Sequence, residues 1–221
     1  MSEALATLVI GNKNYSSWSL RPWLLMREFG IAFREEQLAL DTPGFAERIG
    51  TLSPTRRVPA LHDGGLVVWD SLAICEYVND RWLHGRGWPE RVDSRALARS
   101  AAAEMHSGFA ALRSQLPMNS RRTPDSYRWD AAAQADIDRV QQLWCELRKR
   151  HADEGEFLCG RFGIVDAMFA PVVIRFDGYG VQSDETCMQY MQAINALPGM
   201  REWRDAATRE PEVIEGSEKR G

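Results

Sequence analysis

The sequence contains few cysteines, and none of them stands at a spacing typical of metal ligands. There is no Cys-x-x-Cys pair, and the spacing of the cysteines to the four histidines gives no zinc pattern. The four cysteines are Cys75, Cys145, Cys159 and Cys187. This scattered distribution excludes a disulfide framework and predicts that the chain has no metal site. Cys75 falls on an apolar helical face, where we expect a small buried hydrophobic residue.

An excess of positive charge is also absent. Lys and Arg number 27 against 31 Asp and Glu, a net charge of −4, which leaves no basic surface for nucleic acid and no polybasic patch for a membrane. The apolar run Leu5 to Ile10 is too short for a signal sequence, and no segment reaches the length that spans a bilayer. We therefore expect a cytoplasmic protein that binds neither nucleic acid nor membrane.

The 221 residues are enough for one large domain or two small ones. Strand and helix patterns alternate in the first part: a strand over Leu5 to Ile10, a helix from about Trp18 to Phe29, a strand within Ala32 to Leu40 and a short helix over Phe45 to Ile49. Two strands and a helix follow, up to about Leu83. The order β-α-β-α-β-β-α predicts a small mixed sheet covered by helices.

The most informative stretch is a strand pair, Val58 to Leu61 and Leu66 to Trp69, joined by an Asp-Gly-Gly turn. Pro59 cannot donate to a strand ladder, so it belongs at an edge or a kink. If the Val58–Pro59 bond is cis, the backbone amide and carbonyl of Val58 turn outward and can pair with an extended peptide. The alternative is an ordinary hairpin.

Directly after this strand pair, Asp70 and Ser71 are typical of a helix N-terminus. Free backbone amides at such a terminus suit a carboxylate. An extended ligand with an acidic end therefore fits both Val58 and this helix start. The alternative is a helix that is simply well capped.

Beyond a Gly- and Pro-rich linker at Gly85–Pro89, every pattern is helical. The expected helices span Ser94 to Leu116, Asp130 to His151, Val165 to Phe176, Glu185 to Ala196 and Met200 to Thr208. The polar tail from Glu212 is expected to be frayed. These patterns predict a mixed α/β domain over residues 1–84 and an all-helical domain over residues 92–210.

Three motifs resemble those of the cytosolic glutathione transferase family. Val58 to Leu61, followed by Asp70 to Ile74, resembles its Val-Pro-x-Leu … Glu/Asp-Ser-x-Ala-Ile signature. Ser16 to Arg21 resembles the zeta-class motif Ser-Ser-Cys-Ser-x-Arg, with Trp18 in place of the cysteine. Gly163 to Ala167 resembles the Ser/Thr-x-x-Asp capping box of the second domain, without its hydroxyl residue. The resemblance implies an α/β thioredoxin-like N-terminal domain plus an all-α C-terminal domain, the glutathione transferase fold.

The resemblance also implies that glutathione is the co-substrate and that its sulfur is held as thiolate. A free thiol titrates near pH 8.5, and each unit of depression needs about 1.36 kcal/mol. A hydrogen bond to a charged group contributes roughly 1.5–3 kcal/mol, so one serine hydroxyl supplies roughly one to two units. The zeta motif gives this role to Ser16, whereas the spacing to Arg21 in theta-like patterns gives it to Ser17. Tyr15 is a weaker candidate, and either serine can instead cap the helix.

The remaining roles that the resemblance implies fall on the central stretch. The main chain of Val58, beside Pro59, would pair with the cysteinyl part of glutathione. Ser71 would contact the γ-glutamyl carboxylate, and Asp70 the ammonium group. Arg57 either reaches a ligand carboxylate or is a solvated surface residue. A small-molecule electrophile would lie between the domains, against helical positions Met105, His106, Phe109 and Arg113.

Three functions are compatible with these features. The first is a glutathione transferase, in which the thiolate attacks an electrophilic carbon or a peroxide. The second is a zeta-like maleylacetoacetate isomerase, which adds glutathione to a maleyl double bond and eliminates it after rotation. The third is a non-catalytic module that binds glutathione or a protein. The resemblance also implies a homodimer, and it gives Arg21 and Asp166 structural roles, the first by pairing with the second domain and the second by capping its core helix.

Overall fold

The computed structural model describes residues 5–221, whose first part is a four-stranded sheet with its helices. The strands are β1 (Ala6–Ile10), β2 (Phe33–Gln37), β3 (Ala60–Asp63) and β4 (Leu66–Trp69). Their order is β2-β1-β3-β4; β1 and β2 are parallel, and the β1–β3 and β3–β4 pairs are antiparallel. The helices are α1 (Ser17–Glu28), α2 (Pro43–Leu52) and α3 (Ser71–Val78), the last continued by a π-helical turn over Asn79–Leu83. The predicted mixed sheet is confirmed.

Element boundaries in this part differ from the predicted ones where proline and capping residues intervene. β3 begins at Ala60 rather than at Val58, because Pro59 has no N–H to contribute to the ladder. β2 is shorter than the predicted Ala32 to Leu40. α2 is longer than the predicted Phe45 to Ile49, because the Thr42 hydroxyl accepts a hydrogen bond from Phe45 N at 3.1 Å and so caps a helix that starts at Pro43.

The second part is helical, as the sequence predicts. Its helices are α4 (Val92–Ser107), α5 (Ala110–Gln115), α6 (Ala131–Arg150), α7 (Ile164–Tyr179), α8 (Glu185–Ala196) and α9 (Pro198–Thr208). No helix within residues 5–221 is long and apolar enough to cross a membrane.

The single helix predicted over Ser94 to Leu116 is wrong, because the chain breaks between α4 and α5. Phe109 stands there at φ +61°, in the left-handed region that interrupts a helix. The guanidinium of Arg113 then turns back and donates to the carbonyls of Met105 and Gly108, at the end of α4. Helical periodicity continues through the break, so the pattern alone does not reveal it.

The core is continuous from the sheet into the helical part, with α1 at its centre. α1 packs against α3 on one side and against α7 and α9 on the other. Trp23 of α1 is fully buried and meets Trp203 of α9 edge to face, with 5.0 Å between ring centroids. The segment that precedes α1 is therefore held between the two parts of the molecule.

The tail that was predicted to be frayed is instead bonded to the segment before α1, so that prediction is wrong. Just before this tail, the Glu210 carboxylate accepts hydrogen bonds from Lys13 N at 2.6 Å and Asn14 N at 2.9 Å. Glu212 accepts from the side-chain amide of Asn12 at 3.1 Å. These partners lie nearly two hundred positions away in the chain, and a polar composition read locally does not reveal them.

Asp166 has the structural role that the sequence assigns to it. It is fully buried in the first turn of α7, where it accepts hydrogen bonds from Gly163 N at 2.9 Å and Leu158 N at 3.0 Å. The carboxylate thus makes the bond to the N-cap N–H that a capping-box acid makes, and it also ties down the preceding loop.

Replacing Asp166 by alanine is expected to lower the free energy of unfolding by about 2–4 kcal/mol, because two buried N–H donors lose their acceptor at about 1–3 kcal/mol each. Part of that loss is offset, because the substitution also removes the free-energy cost of burying the carboxylate. Urea denaturation measures the change. Asp138→Ala, on the exposed face of α6, is the control and should change stability by less than about 0.5 kcal/mol; equal effects of the two changes would contradict the buried role.

The stability that Asp166 contributes should also depend on pH. Burial raises the pKa of its carboxyl from 3.8 to about 7. The folded protein therefore binds a proton that the unfolded chain releases, so the contribution is complete below about pH 4 and is lost as the pH rises through 7. Relative to Asp166→Asn, which does not titrate, the protein should lose stability over that interval.

Candidate functional site

A cleft of about 360 Å³ opens where the segment before β3, the end of β4, the start of α3 and the end of α4 meet. The residues that line it are Trp18, Thr55, Arg57, Val58, Pro59, Trp69, Asp70, Ser71 and His106. The cleft thus brings together the central-stretch residues that the sequence singles out. Ser16 and Ser17 are not among the described residues that line it.

The wall formed by Val58 has unpaired backbone groups. The Val58–Pro59 bond is cis, and within residues 5–221 no hydrogen bond joins the Val58 backbone to another residue. Its N–H and C=O are therefore available to an extended ligand, as in strand addition. Arg57 beside it is exposed and has no hydrogen-bond or ion-pair partner in the described part of the chain, so its guanidinium is free to contact a carboxylate.

Asp70 forms the start of α3 and connects it to α4. It has φ +74°, and its Oδ1 accepts hydrogen bonds from Leu72 N at 2.9 Å and Ala73 N at 3.3 Å. These two bonds confirm the predicted helix N-terminus. Asp70 does not cap the Ser71 N–H, which remains the free amide in the first turn of α3. The other carboxylate oxygen lies 3.2 Å from Nε2 of His106 on α4. Burial lowers the pKa of His106, and the nearby Asp70 opposes that shift.

Ser71 is buried at the base of the cleft, where its hydroxyl accepts a hydrogen bond from Arg21 Nη1 at 3.2 Å. Because the hydroxyl oxygen is the acceptor in this contact, its own hydrogen remains free to donate to a ligand. Arg21 is fully buried, and its Nε and Nη2 have no partner within residues 5–221. The expectation that Arg21 pairs with the second domain is wrong: it bonds to Ser71, in the same part of the molecule.

Trp18 forms a stacked cluster beside the cleft. The guanidinium of Arg21 lies 4.2 Å from its ring centroid and that of Arg113 lies 4.7 Å away. His106 meets the same ring edge-on at 5.4 Å. Burial lowers the pKa of Arg21 well below its usual value, and the charges of Arg113 and Arg175 lower it further. The guanidinium groups of Arg21 and Arg113 therefore give this end of the cleft a positive potential that favours an anion.

The two candidate serines lie at the N-terminus of α1, and both are buried. The Ser16 hydroxyl donates to the Ser19 hydroxyl at 2.8 Å. The Ser17 hydroxyl accepts a hydrogen bond from Arg175 Nη2 at 3.5 Å. Ser16 occupies the N-cap position, but its side chain makes no capping hydrogen bond, so the expected hydroxyl cap is not formed.

Tyr15 turns away from the two serines and toward the C-terminal tail. Its hydroxyl donates to Glu218 at 2.6 Å and accepts from Arg121 at 2.8 Å. Burial, followed by the bond to Glu218, raises its pKa. A hydroxyl that is bonded in this way is poorly placed to serve a thiol.

Of the helical positions expected to face a second substrate, His106 alone is among the described residues that line the cleft. Met105 and Phe109 are buried in the core, and Arg113 is held beneath Trp18. Sequence reasoning did not identify Trp18 and Trp69 as lining residues. For Trp18, the sequence feature that could have indicated this was its position in the zeta-class motif, where the family has a cysteine.

Two family descriptions match the chain. "Glutathione S-transferase, N-terminal domain" matches residues 15–81, and "Glutathione S-transferase, C-terminal domain" matches residues 94–206. Together they cover both the cleft and the helical part.

The chain is also similar, at low identity, to individual proteins and to solved structures. A stringent starvation protein A homolog of Haemophilus ducreyi is 24% identical over 159 residues, 72% of this chain and 70% of the relative. A maleylacetoacetate isomerase of Rattus norvegicus is 32% identical over 99 residues, which are 43% of this chain and 45% of that enzyme. A glutathione transferase homolog from Burkholderia gl BGR1, solved with bound glutathione, superimposes with a TM-score of 0.72 at 23% identity, covering 94% of this chain and 100% of the other.

Proposed function

Because the chain belongs to the glutathione S-transferase family, we propose that it is a glutathione transferase that joins glutathione to a small electrophile or uses it to reduce a peroxide. The observation that carries this proposal is the cleft, where the unpaired backbone of Val58 lies beside the N-terminus of α3. An extended tripeptide with a carboxylate at each end complements that pairing edge and the cationic groups around it.

Each end of glutathione has a partner in this arrangement. The cysteinyl backbone pairs with Val58, next to Pro59. The γ-glutamyl carboxylate accepts hydrogen bonds from the hydroxyl and N–H of Ser71, supported by the buried charge of Arg21. The ammonium group meets the Asp70 carboxylate, and Arg57 binds the carboxylate of the glycyl end.

The sulfur is held as thiolate by a serine hydroxyl, and the hydrogen bonds support Ser17 over Ser16. The hydroxyl hydrogen of Ser16 is already donated to Ser19, whereas Ser17 only accepts from Arg175. Ser17 is therefore free to donate, and the guanidinium that bonds to its oxygen makes the hydroxyl a better donor. It is also the first residue of α1, whose helix dipole favours an anion at that end.

Titration of glutathione into the protein tests the proposal, with the ultraviolet absorption of the thiolate as the signal. A saturable band near neutral pH, together with turnover of an electrophile or peroxide, is the expected result. Binding without a band would favour the non-catalytic module. No binding at all would contradict the proposal.

The maleylacetoacetate isomerase reaction is the second candidate, and the similarity to the Rattus norvegicus isomerase supports it. The chain matches only 45% of that enzyme, and Trp18 stands in place of the zeta-class cysteine. Assays with maleylacetone distinguish the two reactions, because an isomerase turns over without net consumption of glutathione, whereas a transferase consumes it.

A homodimer is part of the proposal, and exposed apolar side chains support it. Leu66 and Trp69 lie on the edge strand β4, and Val92 and Leu97 lie on α4. Uncovered edge strands with apolar side chains favour association.

We expect Leu97→Glu to convert the dimer into a monomer, as measured by sedimentation velocity. A charge placed in a buried interface costs more than the apolar contact that it replaces. Met188→Glu, an equally exposed apolar position on α8, is the matched control and should remain dimeric. A wild-type protein that sediments as a monomer would contradict the dimer itself.

The cytoplasmic location remains a prediction from the sequence.

A further inference from the structure

Two cysteines and an aspartate that are far apart in the chain meet where α6 packs against the start of α8. Cys145 Sγ lies 3.1 Å from Asp184 Oδ2 and 3.6 Å from Cys187 Sγ. The three ligand atoms all lie within 4.8 Å of one another, and no other group of this kind occurs within residues 5–221. None of the three residues lines the cleft.

The distances match those between ligands of a tetrahedral zinc ion. With Zn–S near 2.3 Å and Zn–O near 2.0 Å, two thiolates are about 3.8 Å apart, and a thiolate and a carboxylate oxygen about 3.5 Å apart. The two separations from Cys145 Sγ differ from these by a few tenths of an ångström, and the third ligand pair lies within 4.8 Å. The side chains are therefore already grouped closely enough to receive the ion by small adjustments.

The carboxylate is also oriented before any ion arrives. Asp184 Oδ1 accepts a hydrogen bond from Cys187 N at 2.8 Å, as the N-cap of α8. That bond leaves Oδ2 directed at Cys145, and outer hydrogen bonds of this kind fix the ligands of metal sites. Cys187 is buried and Asp184 is exposed, so the group has a closed side and a path from solvent.

A disulfide accounts for these contacts less well. The two sulfurs must approach from 3.6 Å to about 2.05 Å, and a disulfide assigns no role to the carboxylate.

We propose that Cys145, Asp184 and Cys187 bind a zinc ion that joins α6 to α8, with water in the fourth position. On binding, each thiol releases its proton to solvent and each sulfur forms a bond to zinc; no electrons are transferred. The sequence predicts no metal site, because ligands 42 residues apart have no local spacing pattern. The site is separate from the cleft and does not depend on the glutathione proposal.

The test uses the full chain, reduced and freed of metal, titrated with zinc in competition with a chromophoric chelator. We expect a single equivalent to bind and one proton to leave each thiol. Cobalt(II) in place of zinc should give the thiolate charge-transfer and visible bands of a tetrahedral site. At a zinc concentration one hundred times Kd, Tm should rise by about 5–10 °C.

Cys145→Ser should weaken zinc binding at least about tenfold, since even outer-sphere partners contribute 10–100-fold, and should weaken the cobalt charge-transfer band, because only the Cys187 thiolate remains. Cys159→Ser, another partly exposed cysteine, is the matched control and should change neither. Circular dichroism confirms that both variants are folded. Zinc that binds equally to wild type and Cys145→Ser would be adventitious and would overturn the proposal. So would reduced protein that binds no zinc but forms a Cys145–Cys187 disulfide with hydrogen peroxide.

Discussion

Replacing Ser17 by alanine is expected to raise the pKa of the bound glutathione thiol by roughly one to two units, and to lower kcat/KM near pH 7 about 10–100-fold. The hydroxyl donates to the thiolate and not to the thiol, so its removal destabilises only the ionised form. The loss should shrink as the pH rises, because glutathione then ionises without help. Absorption of the bound thiolate, followed as a function of pH, measures the pKa directly.

Ser16→Ala is the matched control for this change. Ser16 has the same side chain, lies one position earlier and is equally buried, but its hydroxyl hydrogen is donated to Ser19. We expect the thiol pKa to remain within about half a unit of wild type, a change of less than about 1 kcal/mol. If Ser16→Ala shifts the pKa and Ser17→Ala does not, the donor is Ser16. If neither variant shifts it, the serine mechanism is wrong while glutathione binding stands.

Ser71→Ala is expected to raise the Kd for glutathione about 10–100-fold, since a hydrogen bond to a charged carboxylate contributes roughly 1.5–3 kcal/mol. The variant also removes the oxygen that accepts from Arg21, so the buried guanidinium loses its support. The bound sulfur is not touched, and kcat at saturating glutathione should therefore change little. Isothermal titration calorimetry and steady-state kinetics separate the two effects.

The matched control is Ser94→Ala, a buried serine in the first turn of α4 that is not among the described residues lining the cleft. Its Kd for glutathione should equal that of wild type. A Ser71→Ala protein that is folded and binds glutathione with unchanged affinity would remove Ser71 from the γ-glutamyl site. The cleft would then need a different orientation of the ligand.

The features that sequence reasoning predicts well are those whose causes are local. The order of strands and helices follows from periodicity, and the start of α3 follows from an Asp-Ser pair whose carboxylate caps the amides of Leu72 and Ala73. Asp166 is a similar case, since its acceptor role is set within one turn of its own helix. In each case the partner lies within a few residues.

The features that sequence reasoning misses depend on hydrogen-bond partners that are far away in the chain. The break after α4 is stabilised by the hydrogen bond that the Arg113 guanidinium donates back to the Gly108 carbonyl. Arg21 donates to the hydroxyl of Ser71, 50 positions later in the chain. The tail from Glu212 is polar in sequence, but Glu212 accepts a hydrogen bond from Asn12, in the segment before α1.

The sequence by itself determined the family, the mixed sheet followed by helices, and the helix start at Asp70, because short motifs and regular spacing specify them. Only the tertiary structure decided that the Val58–Pro59 edge is unpaired, which serine hydroxyl keeps a free hydrogen, that the guanidinium groups of Arg21 and Arg113 stack on Trp18, and that Cys145, Asp184 and Cys187 meet. The physical reason is that hydrogen-bond choice and charge clustering depend on which side chains packing buries together. The residues that neighbour a side chain in the sequence do not specify which distant side chains it packs against.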